Sequence, residues 1–404
     1  MKRLLCLGFV GASWLGGCGG GGAADAGAVD AGLSDAGAAD TGPVDAGPPP
    51  VRLGLNDVSV LFPLPESLEA EGYLGPQDMG ARGVLLPQEV FDQVPTFPVM
   101  PADGLLYGRL RVLAIRVDTC GGLPSDCHPE LRMVMQPLNP NGLARDSALH
   151  LFYRLTPEAM TAVVAGLREA HRLGDDTAAM PLSVHPTLAA QGVTGAYGAA
   201  LRRLVLQHVG AENLLRVTFF LRAPPVQEVW FFGGFERGKE GPFAPMTIVG
   251  VGRGNQRVIL TQTEGGYSFD FTPVAAMPED GRALLSSSAA AAASDEARRA
   301  AFGSFLRVEN PRRYVPDQLP CAGCHVAAFV RSEVSRRHGL SAATFGDDPF
   351  RAERDLTMQG TAGENASSLR AFGYFRAEPM IAQRTINESA AVLEHLERTY
   401  PATR

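Results

Sequence analysis

The sequence predicts an α+β protein, with a mostly β N-terminal domain that contains two helices and an all-α C-terminal domain. Three observations support this prediction. Between residues 51 and 280, runs of β-branched, aromatic and aliphatic residues are bounded by Gly, Pro and Asn, which is typical of strands. Two stretches in the middle of this region instead repeat apolar residues at helical spacing. After residue 281 helical patterns dominate, and the last of them predicts a helix over Asn387–Thr399.

The length and charge of the chain limit its class. Of its 404 residues, 45% are hydrophobic and 20% are charged, which leaves room for two ordinary domains, an export signal and a linker. The formal net charge is −7, and Lys and Arg do not cluster along the sequence. Because binding to phosphates requires such clusters, the sequence argues against nucleic acid as a partner.

Residues 1–18 have the features of an export signal. A basic start precedes an apolar run over residues 4–15 that is too short to span a bilayer. The following LGGC at 15–18 resembles the lipobox of bacterial lipoproteins, which implies that Cys18 becomes the acylated N-terminus. Gly19 replaces the aspartate that commonly retains lipoproteins at the inner membrane, so we expect a lipid anchor in the outer membrane, on its periplasmic or surface face. An ordinary cleaved signal with an incidental cysteine is the alternative.

Residues 19–50 are predicted to be a disordered tether. They consist almost entirely of Gly, Ala, Asp and Pro, so they lack the apolar surface that would offset the entropy of ordering. Aspartates recur every five residues from Asp25 to Asp45, a spacing that does not stack calcium ligands in a folded coil. We therefore expect a flexible, charged linker between the anchor and the folded region.

Residues 51–280 are predicted to form an α+β domain of unknown function. The expected strands cover 58–62, 105–117, 131–135, 148–153, 215–221, 226–235, 246–251 and 256–271. One helix is expected to follow the N-cap Thr156 and to end at Gly174, and another is expected over 197–208. Four histidines lack metal-ligand spacing and are interpreted as structural: His150, His171, His185 and His208.

The most specific motif is CAGCH at residues 321–325. Two cysteines three positions apart, directly followed by histidine, have the spacing at which both thiols add to haem vinyl groups while the imidazole binds the iron. A disulfide or half of a zinc site would use the same cysteines, but no second Cys/His pair with ligand spacing occurs in this half of the chain. The sequence therefore predicts one covalent haem c on Cys321 and Cys324, with His325 as the proximal ligand.

This motif resembles the attachment motif of c-type cytochromes, and the resemblance covers about the last quarter of the chain. It implies that residues 281–404 form a cytochrome c-like haem domain. In mono-haem cytochromes c a sulfur ligand precedes the C-terminal helix, and the similar position of Met380 implies that it is the second axial ligand. Met358, His338 and an open iron site are the alternatives.

The remaining cysteines predict a disulfide. With Cys6 removed in the signal, Cys18 lipidated and two cysteines bound to haem, only Cys120 and Cys127 are left. The loop between them is short and turn-forming, and an exported protein matures where disulfides persist. A metal site that also uses His128 is the alternative, although its fourth ligand is missing.

These features predict an exported, lipid-anchored c-type cytochrome that binds one covalent haem and transfers electrons, an electron carrier rather than an enzyme. The partner would be a redox protein or the quinone pool, and the sequence does not specify which. A peroxidase-like haem enzyme with an open iron site is one alternative. A binding or sensing lipoprotein whose haem is ancillary is the other.

Overall fold

The computed structural model describes residues 51–95, 106–120, 128–223, 228–238, 241–272, 281–363 and 368–401. The predicted signal peptide and tether, and with them Cys18, lie outside the described residues. The described residues belong to one compact unit. Within the described ranges, no helix combines the length and the apolar character needed to cross a bilayer.

A large antiparallel sheet forms the centre of the fold. The strands are β1 Ser59–Leu61, β2 Met79–Gly80, β3 Gly83–Val84, β4 Leu110–Asp118, β5 Glu130–Pro137, β6 Ser147–Arg154, β7 Leu214–Ala223, β8 Glu228–Arg237, β9 Phe243–Pro245, β10 Thr247–Ile248, β11 Gly252–Arg253, β12 Gln256–Thr263, β13 Gly266–Thr272, β14 Phe372–Phe375 and β15 Glu378–Ile381. Among the described residues, nine of them form the sheet in the order β1-β4-β5-β6-β7-β8-β12-β13, with β9 paired to β8. The other strands form the hairpins β2-β3, β10-β11 and β14-β15.

Helices cover this sheet. They are α1 Leu55–Val58, α2 Gln88–Phe91, α3 Pro157–His171, α4 Pro186–Gln191, α5 Ala196–His208, α6 Ser287–Ala292, α7 Asp295–Val308, α8 Cys321–His338 and α9 Gln383–Thr399. Helix α3 begins as expected, because the Thr156 hydroxyl accepts a hydrogen bond from the Ala159 N–H and Pro157 occupies the first turn. The helix predicted over 197–208 is confirmed as α5, which starts one residue earlier.

The two faces of the sheet pack against different helices. Successive side chains of a strand point to opposite faces, so the neighbours Phe219 and Phe220 of β7 enter different parts of the core. Phe219 packs in the cluster that contains the apolar residues of α3 and α5. Phe220 packs in the cluster that contains those of α7 and α8. The face that carries Phe220 is therefore the face on which the CAGCH motif lies.

The prediction of an all-α C-terminal domain is wrong. Most of the chain is one large antiparallel sheet with helices around it, and the region after residue 281 contributes the hairpin β14-β15 as well as helices. This hairpin is bound to the sheet by the Gln136 side chain. Its Nε2 donates to the Tyr374 backbone carbonyl at 2.8 Å, and its Oε1 accepts from the Tyr374 backbone N–H at 2.7 Å. The apolar face of the sheet has to be covered, and residues 281–404 supply that cover instead of a closed helical domain.

Candidate functional site

The CAGCH motif forms the first turns of α8. The helix begins at Cys321, directly after Pro320, and the Ala322 N–H donates to the buried Gln256 side chain at 2.9 Å. Residues three and four positions apart share one side of a helix, so this start brings Cys321, Cys324 and His325 to the same side. Gln256, on strand β12, therefore attaches the motif to the sheet.

All three motif residues line one cavity of about 430 Å³ between α8, α9 and the sheet. Its volume is in the range of small-molecule and cofactor sites. Both cysteines are free thiols. Burial raises the pKa of Cys321 to about 12 and also raises that of Cys324, so both sulfurs are protonated at neutral pH.

The His325 ring is oriented by one backbone contact. Its Nδ1 lies 2.5 Å from the Leu369 carbonyl oxygen, and this contact assigns the proton to Nδ1. Burial lowers the pKa of His325 to about 4, although the hydrogen bond to Leu369 acts in the opposite direction. The imidazole is therefore neutral, and Nε2 keeps its lone pair. A metal-binding histidine is commonly held by a carbonyl in this way.

The register of the sheet places aromatic and polar residues opposite the motif. Directly paired residues of antiparallel strands share a face, and Phe220 pairs with Phe232. The rings of Phe220 and Phe232 lie 5.4 and 5.0 Å from the His325 ring, measured between centroids. Two residues before Phe220 on the same face, Thr218 pairs with His150 of β6. Phe220 and Phe232 thus pack against the His325 ring, while His150 and Thr218 line the cavity itself.

His150 faces His325. The two ring centroids are 6.4 Å apart and the ring planes differ by 23°. His150 Nδ1 lies 3.2 Å from the Thr218 hydroxyl oxygen. Burial is the main cause that lowers the pKa of His150 to about 3, followed by the proximity of His325 and of arginines. His150 is therefore a neutral imidazole as well.

A row of basic and aromatic side chains crosses four strands beside the two histidines. Arg116 pairs with Arg132, Arg132 with Phe152, and Phe152 with Arg216, so all four lie on one face. The guanidinium carbons of Arg132 and Arg216 lie 5.1 and 4.8 Å from the centroid of the Phe152 ring. Both contacts are within cation–π range. The row forms a positively charged edge of the cavity.

Carboxylates neutralise part of this charge. Glu388 of α9 lies 2.9 Å from Arg116 and 2.7 Å from Arg384. Burial alone would raise the pKa of Glu388, but the neighbouring guanidiniums outweigh it and lower the pKa to about 2. The cavity lining contains five arginines and three carboxylates, namely Arg116, Arg132, Arg216, Arg237, Arg384, Glu236, Asp317 and Glu388. Arg132 is also paired with Asp118 at 2.5 Å and with Glu130 at 2.9 Å, two carboxylates outside this lining, so positive and negative charges around the cavity nearly balance.

The other predicted ligands lie elsewhere. Met380 is buried in β15 and is not part of the cavity lining, and a Cβ built on Gly363 would meet its sulfur. Met358 is 75% exposed. His338 is the last residue of α8, at the opposite end of the helix from the motif. Met380 as an axial ligand remains a prediction that the geometry does not favour.

Only one of the two cysteines in the predicted disulfide lies within the described residues. Cys120 is disulfide-bonded, while Cys127 lies outside the described residues, so the pairing of the two stays a prediction. His128 and Cys120 line a smaller cavity of about 230 Å³, which shares Arg384 and Glu388 with the first. In the described ranges, no three His, Cys, Asp or Glu side chains are grouped closely enough to hold a metal ion.

Sequence reasoning missed His150 and the arginine row. His150 was interpreted as structural because it lies 175 residues before His325 and has no ligand spacing around it. The available signal was its position in β6, where His150 alternates with Leu149 and Leu151 and shares a face with Ala148 and Phe152. A histidine on the inward face of a strand is a polar side chain that requires a partner.

Comparison with known proteins does not assign the chain to a family. No family model matches the chain, and neither a curated protein nor a solved structure is significantly similar to it.

Proposed function

We propose that this protein is a c-type cytochrome that binds one haem covalently through Cys321 and Cys324, with His325 as an axial ligand, and that transfers electrons. One observation carries the proposal: two free thiols and a neutral imidazole from one helix line the same cavity. This donor set fits haem c, because the thiols add to the vinyl groups while Nε2 of the histidine is left for iron.

The arginines in the cavity lining also support haem. The macrocycle carries two propionates, and guanidiniums are suitable partners for carboxylates. Arg116 is held by Glu388 and lines the cavity together with the motif, which makes it the residue we expect to bind a propionate. The guanidinium nitrogens of Arg384 already donate to Glu388, Val308 and Tyr314. Burying a propionate in a partly apolar cavity is costly unless a cation pairs with it.

Each residue has a defined task in this proposal. Haem, when bound, supplies the one-electron chemistry. The Leu369 carbonyl fixes the tautomer of His325 and makes Nε2 a better donor. Phe220 and Phe232 exclude water from the ring of His325. The protein thereby sets the burial and the ligand strength that determine a reduction potential.

The proposal includes export and membrane attachment. Lipid on Cys18 would anchor the protein to the outer membrane, and the tether of residues 19–50 would let the folded region approach a partner. A redox protein or the quinone pool would then exchange electrons with the haem. The N-terminal sequence pattern is the basis for both export and lipidation.

Covalent attachment is tested by replacing both motif cysteines. The wild-type chain, expressed with a haem-maturation system, should keep its haem through denaturation and acid-acetone extraction. The double variant Cys321→Ala/Cys324→Ala should lose it to the solvent phase, because no thioether remains. Cys321→Ala alone is the matched control, which should retain haem through one bond. Extraction of haem from the wild type would disprove the proposal.

Electron transfer is tested separately, by mixing the reduced protein with a small soluble cytochrome or a quinone analogue and following reoxidation. Rapid exchange is expected of a carrier. A covalent haem that exchanges no electrons would favour the sensing lipoprotein, and carbon monoxide binding by the wild-type ferrous protein would favour the peroxidase-like enzyme.

A further inference from the structure

We propose that His150, on the central strand β6, is the second axial ligand of the iron. This inference rests on the proposed function, because it assumes the haem on Cys321 and Cys324. The sixth coordination position of the iron is thereby assigned to a residue of the sheet, which precedes His325 by 175 residues in the sequence. The haem would then be held between the sheet and α8.

The distance between the two histidines matches a shared iron. A metal–imidazole bond is about 2 Å long and a ring nitrogen lies roughly 1 Å from its ring centre, so two imidazoles on opposite sides of one metal have centres about 6 Å apart. The observed centroid distance between His150 and His325 is 6.4 Å. The interplanar angle of 23° means that the two rings are nearly parallel, an orientation that two axial imidazoles can share.

In both histidines, Nδ1 makes the hydrogen bond and Nε2 is the nitrogen left for a metal. Nδ1 of His325 is taken by the Leu369 carbonyl, and Nδ1 of His150 is taken by the Thr218 hydroxyl. Within the described part of the chain, neither Nε2 has a hydrogen-bond partner. The carbonyl contact leaves a lone pair on Nε2 of His325. His150 has one on Nε2 in the tautomer whose Nδ1–H donates to the Thr218 hydroxyl, and this is the tautomer that would bind iron.

Packing fixes this arrangement. Both histidines line the same cavity, whereas Met380 is not part of its lining. His150 belongs to a strand paired on both sides, with β5 and β7, and β strands position a side chain more rigidly than a loop. The sheet and the Gln256 contact to α8 therefore hold the two ligands at a fixed separation.

Two imidazole ligands have chemical consequences. The iron has no open position, so the ferrous protein should not bind carbon monoxide and peroxidase chemistry is disfavoured. Imidazole in place of a thioether also lowers the reduction potential. The pair therefore specifies an electron carrier of lower potential than a cytochrome with a methionine ligand.

The ligand is tested by His150→Ala in the haem-loaded protein, with covalent haem content measured in every sample. We expect the wild type to be low-spin in both oxidation states. His150→Ala should become high-spin and bind carbon monoxide, and added imidazole should restore the low-spin spectrum by filling the vacated position. Met380→Ala and His338→Ala should remain low-spin. A low-spin His150→Ala protein, or a high-spin Met380→Ala protein, would overturn the assignment.

A measurement on the wild type covers the case in which His150→Ala fails to fold. Electron–nuclear double resonance of the ferric protein with ¹⁵N-labelled histidine counts the imidazole nitrogens bound to iron. Two should be found, and a count of one would refute the proposal. Covalent haem with one bound imidazole rejects only the His150 assignment, whereas a wild type without covalent haem rejects the proposed function and this inference together.

Discussion

Asp146 and Arg370 form a buried ion pair next to the cavity, with 3.5 Å between Asp146 Oδ1 and Arg370 Nη2. The Trp230 indole N–H donates to Asp146 at 3.2 Å, and the Arg370 guanidinium carbon lies 4.8 Å from the Phe220 ring centroid. Burial lowers the pKa of Arg370 to about 10 and raises that of Asp146, despite their attraction. Desolvation thus exceeds the Coulomb gain, and each charge depends on its partner.

Replacing Arg370 by Met should therefore be costly. The change leaves the Asp146 carboxylate buried, with Arg222 at 3.9 Å as the nearest recorded cation, and we expect a loss of about 3 kcal/mol in the free energy of unfolding. Urea denaturation measures it. The control is Arg398→Met, because the Arg398–Glu353 pair is more than half exposed and should contribute less than about 1 kcal/mol. Equal losses in the two variants would contradict the argument.

At the scale of elements, a buried hydrogen bond joins α1 to the end of α3. Asp57 of α1 lies 3.0 Å from Nδ1 of His171, and its carboxylate also accepts the Gly54 N–H at 2.6 Å. The hydrogen bond to Asp57 raises the pKa of His171, against the effect of burial. The protonated histidine is therefore favoured in the folded state, and the two helices are held together most strongly while His171 is protonated and Asp57 is ionised.

The pH dependence follows with a definite sign. A raised folded-state pKa means that the contribution of His171 is complete below its unfolded pKa of about 6.5 and is lost as pH rises through the folded value. The free-energy difference between wild type and His171→Gln should therefore shrink with rising pH, as urea unfolding at several pH values would measure.

His208 provides a control of opposite sign, because burial lowers its pKa. Its neutral form is favoured in the folded state, so the stability contributed relative to His208→Gln should increase as pH rises. If both histidine variants gave parallel profiles, the linkage of α1 to α3 through a charged His171 would be refuted.

At the scale of the whole molecule, local patterns in the sequence predicted single elements better than their assembly. The Thr156 cap and the strand around 148–153 are local signals, and both correspond to elements of the structure. The hairpin β14-β15 was missed because each strand has only four residues and is held by the distant Gln136. Local periodicity contains no information on such partners.

In the candidate site too, some residues could be predicted from local sequence and others could not. Three motif residues follow from spacing alone, and the structure places them on one cavity. His150 and Arg132 lie on one face only because β5 and β6 pair in this register, and a shift by one residue between the strands would put them on opposite faces. Register is decided by the assembled sheet, so no short window of sequence identifies these residues.

One core shared between the two halves of the chain should make unfolding a single transition. Phe220 and Trp230 of the sheet pack in the same cluster as Phe302 of α7 and Val326 of α8. Without residues 281–404 these aromatic side chains would be exposed to water, so a fragment of residues 51–280 should not fold alone.

In the full chain, Trp230 fluorescence and far-UV circular dichroism should give coincident urea transitions, because the indole is fully buried where sheet and helices meet. Two separated transitions, or a folded 51–280 fragment, would show that the halves are independent. If haem moves both signals to higher urea together, its site belongs to this single cooperative unit, since a bound group stabilises the unit that contains its site.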